Sequence, residues 1–385
     1  MPPDFKLAVL GPAPPDRGGI AHQTHLLAKA LGESLAGYFS YSRAYPRFLN
    51  PRRFDTLENA EDSLRATPIL DWANPLSWKK AGTAAVESGA GALIAPWWTA
   101  FWAMPLRSVF RQTRRLEPSF LNVILCHHVF DHESVVWKKS LAWIGLESAD
   151  AAIAQSEQDR EILESRLRGK PILVLPHPID DRPHPGREDA RRKLGVTGPL
   201  VLFLGLIRPY KGVDVLFDAA PRITEETGAR IALVGEVFPD SRASINEWMK
   251  RPVASRVTLV DRYVGEEEMD LWLAACDVVV CPYRKNSGSG IAARAIAARR
   301  PIVASNLSGF LPFVSEASGA LVPEDDPAGL ADAVIRVVRR GVESYGEALS
   351  ALARRHSWDG YARAVEDFCR QIGPVSRRDT PTAGF

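Results

Sequence analysis

The sequence predicts an α/β protein built from two doubly wound, Rossmann-like domains that face each other across a cleft. The chain has 385 residues, which is too long for one ordinary domain. Short apolar runs alternate with longer amphipathic stretches, as expected for parallel strands joined by helices. Most of the runs are continuous rather than alternating in polarity, which is typical of strands covered on both faces.

The predicted strands form two series. The first comprises Lys6–Leu10, Leu93–Pro96, Val123–Cys126, Ala151–Ala154 and Ile172–Leu175. The second comprises Leu200–Leu204, Arg230–Val234, Val257–Leu259, Asp277–Cys281 and Pro301–Ala304. The segment between them, 176–199, holds five prolines and three glycines, which indicates a linker. We therefore predict an N-terminal domain at 1–178, a linker at 179–199, a C-terminal domain at 200–355 and a flexible tail at 373–385.

Composition excludes several classes of protein. Lys and Arg total 48 against 46 Asp and Glu, and a net charge of +2 gives no reason to expect a nucleic-acid partner. The four cysteines form no C-x-x-C pair, so neither a disulfide framework nor a cysteine zinc site is expected. No apolar stretch approaches the roughly 20 residues of a membrane span, and the N-terminus lacks a signal-peptide core. These features predict a cytoplasmic protein.

Ligands of doubly wound sheets bind beyond the carboxyl ends of the strands, so the loops at these positions are the candidate site. Gly18 and Gly19 precede a predicted helix at Ile20–Leu31, where backbone N–H groups could meet an anion; an ordinary turn is the alternative. Arg208 and Lys211 follow the first strand of the second domain and suit a phosphate, although they could equally be solvated cations.

A third loop follows the strand that ends at Cys281. It contains Ser289, Gly290 and Ile291, and a helix is predicted to begin near Ile291. The N–H groups and positive dipole at a helix N-terminus suit a diphosphate. A flexible linker explains this loop poorly, because it lies between two apolar elements.

These loops belong to stretches that together resemble GT-B glycosyltransferases of the large family 4, from about Lys6 to Phe368. The stretches are PPDRGGIAHQTHLLAKAL, FLGLIRPYKGVDVLFDA, VTLVDRYVGEEEMDLWLAACDVVVCPY and IAARAIAARRPIVAS. The late HSWDGYARAVEDF resembles the family's closing helix, which implies a helix at 356–372 that crosses back to the N-terminal domain.

The resemblance implies a retaining glycosyltransferase that holds a nucleotide-diphosphate sugar on the C-terminal domain and an acceptor on the N-terminal domain, with neither metal nor cofactor. The implied catalytic residues are His127, Arg208, Lys211 and Asn286. The implied donor diphosphate-binding residues are Gly18, Gly19, Arg208, Lys211, Ser289, Gly290 and Ile291. The implied nucleotide-binding residues are Tyr263, Val264 and Arg294. For His127, packing is the alternative role.

Two departures from the family pattern affect donor recognition. Where relatives carry Glu-x7-Glu, this chain has Asn286 and Arg294. Asparagine can still bond a sugar hydroxyl, but arginine cannot accept a hydrogen bond. Leu206 stands where relatives often have arginine, and Arg208, two residues on, would point to the same face if the strand continued.

The acceptor side of the predicted cleft is rich in tryptophan. Trp97 and Trp98 follow a strand, where we expect them to be exposed and to bind an acceptor together with His22. Arg107, Arg111, Arg114 and Arg115 follow at helical spacing. Aromatic rings and cations favour a glycan or lipid-linked acceptor at the inner membrane face, although a solvated face explains the arginines as well.

We therefore expect sugar transfer in surface polysaccharide or glycolipid assembly. One alternative is a binding partner whose donor site has degenerated, consistent with Asn286 and Arg294. Another is a nucleotide-sugar epimerase or a sugar phosphorylase on the same fold. A metal-dependent GT-A transferase is disfavoured because the chain has no Asp-x-Asp tripeptide.

Overall fold

The computed structural model describes residues 5–16, 18–44, 64–130, 136–286 and 288–373. The chain divides into two compact units. The first comprises Met1–Leu175 and Trp358–Phe385, and the second comprises Pro176–Ser357. Helix and strand labels run in chain order.

The first unit contains a seven-stranded parallel sheet. Its strands are β1 (Leu7–Leu10), β2 (Leu35–Arg43), β3 (Thr67–Asp71), β4 (Ala92–Trp97), β5 (Leu121–Cys126), β6 (Ala151–Ala154) and β7 (Ile172–Val174), in the order β3-β2-β1-β4-β5-β6-β7. Its first helices are α1 (Gly19–Leu31), α2 (Pro75–Glu87), α3 (Ala103–Leu116), α4 (Val136–Leu146) and α5 (Glu157–Glu164). The order reverses between β1 and β4, which is the position where doubly wound sheets bind ligands.

The second unit contains a six-stranded parallel sheet. Its strands are β8 (Leu200–Leu204), β9 (Arg230–Val234), β10 (Val257–Val260), β11 (Val278–Cys281), β12 (Ile302–Ser305) and β13 (Gly319–Val322), in the order β10-β9-β8-β11-β12-β13. Its helices are α6 (Arg187–Leu194), α7 (Val213–Thr227), α8 (Pro239–Trp248), α9 (Glu266–Ala275), α10 (Gly290–Ala297), α11 (Pro327–Arg340) and α12 (Gly346–Arg355). The order reverses between β8 and β11, whose loops carry Lys211 and Ser289.

The last helix, α13 (Trp358–Ile372), belongs to the first unit although the preceding helices belong to the second. Its buried side chains, including Val365 and Cys369, pack with Leu27 of α1 and Val9 of β1 on one face of the first sheet. The α2, α3 and α4 side chains fill the opposite face. Both faces of this sheet are therefore covered, as its continuous apolar strands predict.

The segment 179–199, predicted as a linker, contains α6 and lies within the second unit. Arg187 of α6 binds Asp277 at 2.7 Å and the Cys276 carbonyl at 2.7 Å, while Arg191 binds the Ala275 carbonyl at 2.9 Å. These bonds fasten α6 beside α9. The prolines and glycines of this segment flank the helix, and they do not form a flexible spacer.

Candidate functional site

The loops after β8 and β11 are clamped together in the second unit. Gly212 has φ +65°, and an added Cβ would overlap the carbonyl of Pro282, so this position needs glycine. The Arg284 N–H donates to the Tyr210 carbonyl at 2.8 Å. The Arg284 guanidinium binds Asp214 of α7 at 2.5 Å. These contacts fix the position of Lys211, which lies between Tyr210 and Gly212 in the sequence.

Lys211 is half-buried where the loops after β8 and β11 meet. Its Nζ is 3.9 Å from the ring centroid of Tyr283 and 5.6 Å from that of Tyr210. No carboxylate of the described residues pairs with it. Burial lowers the pKa of Lys211 to about 8, and the nearby Cys281 thiol opposes this shift slightly. A lysine held on aromatic rings without a counter-ion is poised to bind an anion.

The N-terminus of α10 lies after β11. The Ser289 hydroxyl accepts a hydrogen bond from the Ala292 N–H at 3.1 Å and so caps the helix. The N–H groups of Gly290 and Ile291 lie in the first turn of the helix, where no preceding turn supplies a carbonyl acceptor. They point, with the positive end of the helix dipole, to a place that suits a phosphate oxygen.

His177, which no sequence motif singled out, lies against this N-terminus. Its Nε2 is 3.6 Å from where a Cβ of Gly290 would stand. Its Nδ1 bonds the Pro178 carbonyl at 2.7 Å, which assigns the hydrogen to Nδ1. The sequence signal for His177 was the pair of flanking prolines, because prolines restrict the backbone to an extended conformation and so fix the direction of the side chain between them.

Arg208 lies in a pocket of the second unit, lined also by Pro209, Asp214, Asp240, Trp248 and Arg284. Its guanidinium stacks on the Phe238 ring at 4.4 Å from the centroid and lies 3.5 Å from an Asp240 oxygen. Leu206, at the position where arginine was expected, is exposed. Arg208 is therefore aimed at the start of α8.

Arg294 lies in an ion-pair network. Its guanidinium is 3.0 Å from Glu266 and 3.7 Å from Asp270, both on α9. Arg182 binds the same two carboxylates at 3.1 and 3.0 Å. The arginine that replaces the expected glutamate thus has a structural role, and it gives a ribose hydroxyl no acceptor.

The three other donor-side candidates differ in exposure. Asn286 is half-buried, and its Nδ2 has no hydrogen-bond partner among the described residues. Tyr263 is 49% exposed, so its ring is available for stacking on a base. Val264, by contrast, belongs to the core of the second unit and can contact a nucleotide through its backbone alone.

In the first unit, Gly18 and Gly19 lead into α1. Gly18 has φ +129° and no side-chain cap is found at this end of α1, while an added Cβ at either glycine would meet no atom of the described residues. His22 is half-buried in the first turn, and its N–H donates to the Gly18 carbonyl at 3.1 Å. The helix itself offers the first N–H groups of α1 no acceptor, and such groups suit an anion.

A polar cluster follows β5 and β6, whose last residues are paired in register. The Gln155 amide nitrogen is 3.0 Å from Nδ1 of the buried His127. The amide donates this hydrogen bond and Nδ1 accepts it, so the ring hydrogen is assigned to Nε2. Asp159 lies nearby, bonded to Ser156 at 2.9 Å, and burial raises its pKa. Gln155 was not identified from the sequence.

The structure corrects the expectation for Trp97. This ring is 1% exposed, its Nε1 donates to the Val129 carbonyl at 3.3 Å, and Gly145 leaves room for it in the core. The strand continues through Trp97, which turns the side chain into the helical layer. Trp98 is half-buried and lies 6.2 Å from Trp102, so it alone of the pair retains some exposed surface.

The described residues contain neither a metal cluster nor a membrane-spanning helix. No group of three or more His, Cys, Asp or Glu side chains there is arranged to hold a metal ion. No helix in the described part of the chain is long and apolar enough to cross a membrane. Metal independence stays a prediction.

Residues 198–340 match the model of the family described as Glycosyl transferases group 1. The chain is 31% identical over 250 residues to a D-inositol 3-phosphate glycosyltransferase of Nocardioides sp., which covers 59% of this chain and 54% of that protein. The Streptomyces avermitilis protein of that name is 32% identical over 255 residues, covering 60% of this chain and 54% of that protein. The chain spans about half the length of these curated relatives.

The fold matches solved structures over almost its whole length. A sucrose-phosphate synthase from Thermosynechococcus elongatus superposes with a TM-score of 0.72 at 19% identity, covering 95% of this chain and 99% of that one. Anabaena HepE in complex with UDP and glucose gives a TM-score of 0.72 at 15% identity, covering 95% and 100%. The two parallel sheets and these neighbours confirm the predicted GT-B fold class.

Proposed function

Because residues 198–340 match the model of the family described as Glycosyl transferases group 1, we propose that the protein moves a sugar from a nucleotide-diphosphate sugar to an acceptor hydroxyl. The observation that carries this proposal is Lys211. It is a cation without a carboxylate partner among the described residues, held on two aromatic rings where the loops after β8 and β11 meet. The complexes of HepE with UDP and with UDP-glucose support a donor of this class.

The chemistry asks the site to stabilise a leaving group. As the bond from the anomeric carbon to the diphosphate oxygen breaks, negative charge grows on the diphosphate. Lys211 and the N–H groups of Gly290 and Ile291 are donors in place before the reaction, so they lower the barrier without reorganising. Arg208, now near Asp240, would contribute after exchanging that partner for the diphosphate.

We propose that transfer retains the anomeric configuration and takes place on the face that the diphosphate leaves. A diphosphate oxygen would accept the proton of the acceptor hydroxyl as the new glycosidic bond forms. His127, with Nε2–H fixed by Gln155, would donate a hydrogen bond to a sugar or acceptor oxygen in the first unit. A covalent glycosyl-enzyme trapped on a carboxylate would contradict this mechanism.

The acceptor is proposed as a glycan, a lipid-linked glycan or a small polyol, with His22 and Trp98 as contacts. The relatives named for D-inositol 3-phosphate support testing that compound first. We place the reaction in the cytoplasm, in the assembly of surface polysaccharide or glycolipid. It would need no metal and no cofactor beyond the donor.

One observation favours a second candidate function, a binding protein with a degenerate donor site. Arg294 is engaged by Glu266 at 3.0 Å, so it supplies no acceptor for a ribose hydroxyl. The half-buried Asn286 amide could still bond a sugar hydroxyl, and Lys211 remains in place, which favours the enzyme.

The deciding experiment is a thermal-shift screen of UDP, GDP, dTDP, CDP and ADP sugars, each beside its free diphosphate and monophosphate, without added metal. We expect one base series to stabilise the protein by about 2.7 kcal/mol at a hundredfold excess over Kd. The diphosphate should stabilise the protein more than the monophosphate does, because Lys211 and the N-terminus of α10 are proposed to bind the second phosphate. No stabilisation by any compound would reject the donor site and favour the binding protein.

A further inference from the structure

The outer side of one helical layer in the first unit carries positive charge and large apolar side chains together. Helices α2, α3 and α4 lie side by side on one face of the sheet, α2 against α3 and α3 against α4. We call their outward surface the basic face. It is centred on Met104, Arg107, Arg111, Arg115, Trp137 and Ile144.

The central stripe of the basic face lies on α3. Met104, Arg107, Arg111 and Arg115 recur every three or four residues, so they share one side of the helix, and all four are exposed. None of these three arginines forms an ion pair with any described residue. Arg114, on the flank of the same helix, is instead bound to Asp150 at 3.2 Å. The charge of the stripe therefore remains available to an external anion.

The apolar side chains flank this stripe. Trp137 is 64% exposed and Ile144 37% exposed; they lie seven residues apart, on the same side of α4. On α2, Leu76 is 67% exposed and lies beside the exposed Lys79 and Lys80. Exposed apolar side chains that share one surface and are rimmed by charged residues are typical of protein or membrane interaction sites.

We propose that the basic face docks the protein on an anionic lipid bilayer. Trp137, Met104 and Leu76 would enter the boundary between headgroups and acyl chains, while the α3 arginines pair with lipid phosphates. The exposed apolar side chains favour a bilayer over nucleic acid, whose backbone asks for cations and polar groups. This inference goes beyond the proposed function, because docking requires no donor sugar.

The test is flotation of the full chain with vesicles of phosphatidylcholine alone or mixed with phosphatidylglycerol. We expect binding to the mixed vesicles that weakens as salt rises. The triple variant Arg107→Gln, Arg111→Gln and Arg115→Gln should partition about a hundredfold more weakly, because each cation near such a surface contributes about fivefold.

Two further variants separate the contributions. Trp137→Ser should weaken partition about tenfold and keep the salt dependence, since it removes apolar burial alone. The control, Arg192→Gln with Lys193→Gln and Lys250→Gln, makes the same charge change at exposed positions of the second unit and should bind as the wild type. Circular dichroism verifies that each variant is folded.

Three results would overturn the proposal. One is equal binding to neutral and mixed vesicles. A second is an equal loss in the control variant. The third is binding of fluorescent single-stranded RNA, but not vesicles, that the triple variant removes. Nucleotide thermal shifts in the same preparations keep this test separate from that of the proposed function.

Discussion

Replacing Lys211 by methionine should stabilise the ligand-free protein while weakening its binding of nucleoside diphosphates. Methionine keeps the length and the apolar stem of lysine and removes the charge. The lysine stem lies beside Tyr283 and Tyr210, where a thioether also packs well. Opposite effects on stability and binding would mark a residue kept for its ligand.

The magnitude follows from the pKa of Lys211, which burial lowers to about 8 from an ordinary value of about 10.4. Below pH 8 the folded protein holds a charged lysine that it disfavours, at a cost of about 3 kcal/mol. The cation–π contact with the Tyr283 ring offsets about 1 kcal/mol of this cost. We therefore expect Lys211→Met to raise the free energy of unfolding by about 2 kcal/mol at pH 7.

The gain should shrink as the pH rises from about 8 to about 10.4. Across this window the unfolded chain binds more protons at Lys211 than the folded protein does, so wild-type stability rises relative to the variant. A bound diphosphate favours the charged lysine, and wild-type affinity should therefore fall by up to tenfold for each pH unit above 8.

Thermal denaturation and titration calorimetry with nucleoside diphosphates at pH 7 and pH 9 test both effects. The control is Lys193→Met, an exposed lysine on α6, which should change neither. The reasoning fails if Lys211→Met loses stability by several kcal/mol, or if it binds the diphosphate as tightly as the wild type with the same pH profile.

Three further predictions concern neighbouring features. Gly212→Ala should lower the free energy of unfolding by more than about 3 kcal/mol in urea denaturation, because its Cβ would overlap a carbonyl, whereas Gly228→Ala, at φ +68° with open space around it, should cost about 1 kcal/mol. Gln155→Ala should lower the transfer rate about tenfold without changing donor affinity, since it frees the neighbouring histidine ring to rotate; equal losses in rate and affinity would reject this positioning role. Arg294→Glu should destabilise the protein by about 2 kcal/mol through repulsion from Glu266, and adding Glu266→Gln should restore part of it, because glutamine removes this repulsion without repelling the neighbouring Arg182; a double variant no more stable than the single one would contradict the pairing.

Most of the fold was readable from continuous aliphatic runs. Ala151–Ala154, Leu200–Leu204 and Arg230–Val234 were predicted with the bounds that the structure has. Three strands were missed. Strand β3 is a sheet edge with a single buried residue, so its apolar signal is weak. Strand β13, the edge of the second sheet, is mostly buried, but it has only four residues and begins with glycine. Strand β2 reads LAGYFSYSR, in which glycine and serine interrupt the apolar run.

The site was predictable to the level of loops but not of side-chain directions. Strand ends located Lys211 and the N-terminus of α10, because parallel strands bring their carboxyl ends to one edge. The direction of Arg208 depends on Phe238 and Asp240, which lie at the start of α8, about thirty residues later in the chain. Trp97 was expected outside because its predicted strand ended one residue too early. Contacts distant in sequence leave no local pattern.

The central claim is that this protein transfers a sugar from a nucleotide donor. The most direct measurement is a proton NMR time course with the nucleotide-sugar series that stabilises the protein and a panel of glycan, polyol and lipid-linked acceptors. We expect one acceptor to gain the sugar with the anomeric configuration of the donor, free diphosphate to appear in equal amount, and Lys211→Met to slow both. A donor that binds but is never consumed would contradict the claim, and an inverted product would contradict the retaining mechanism.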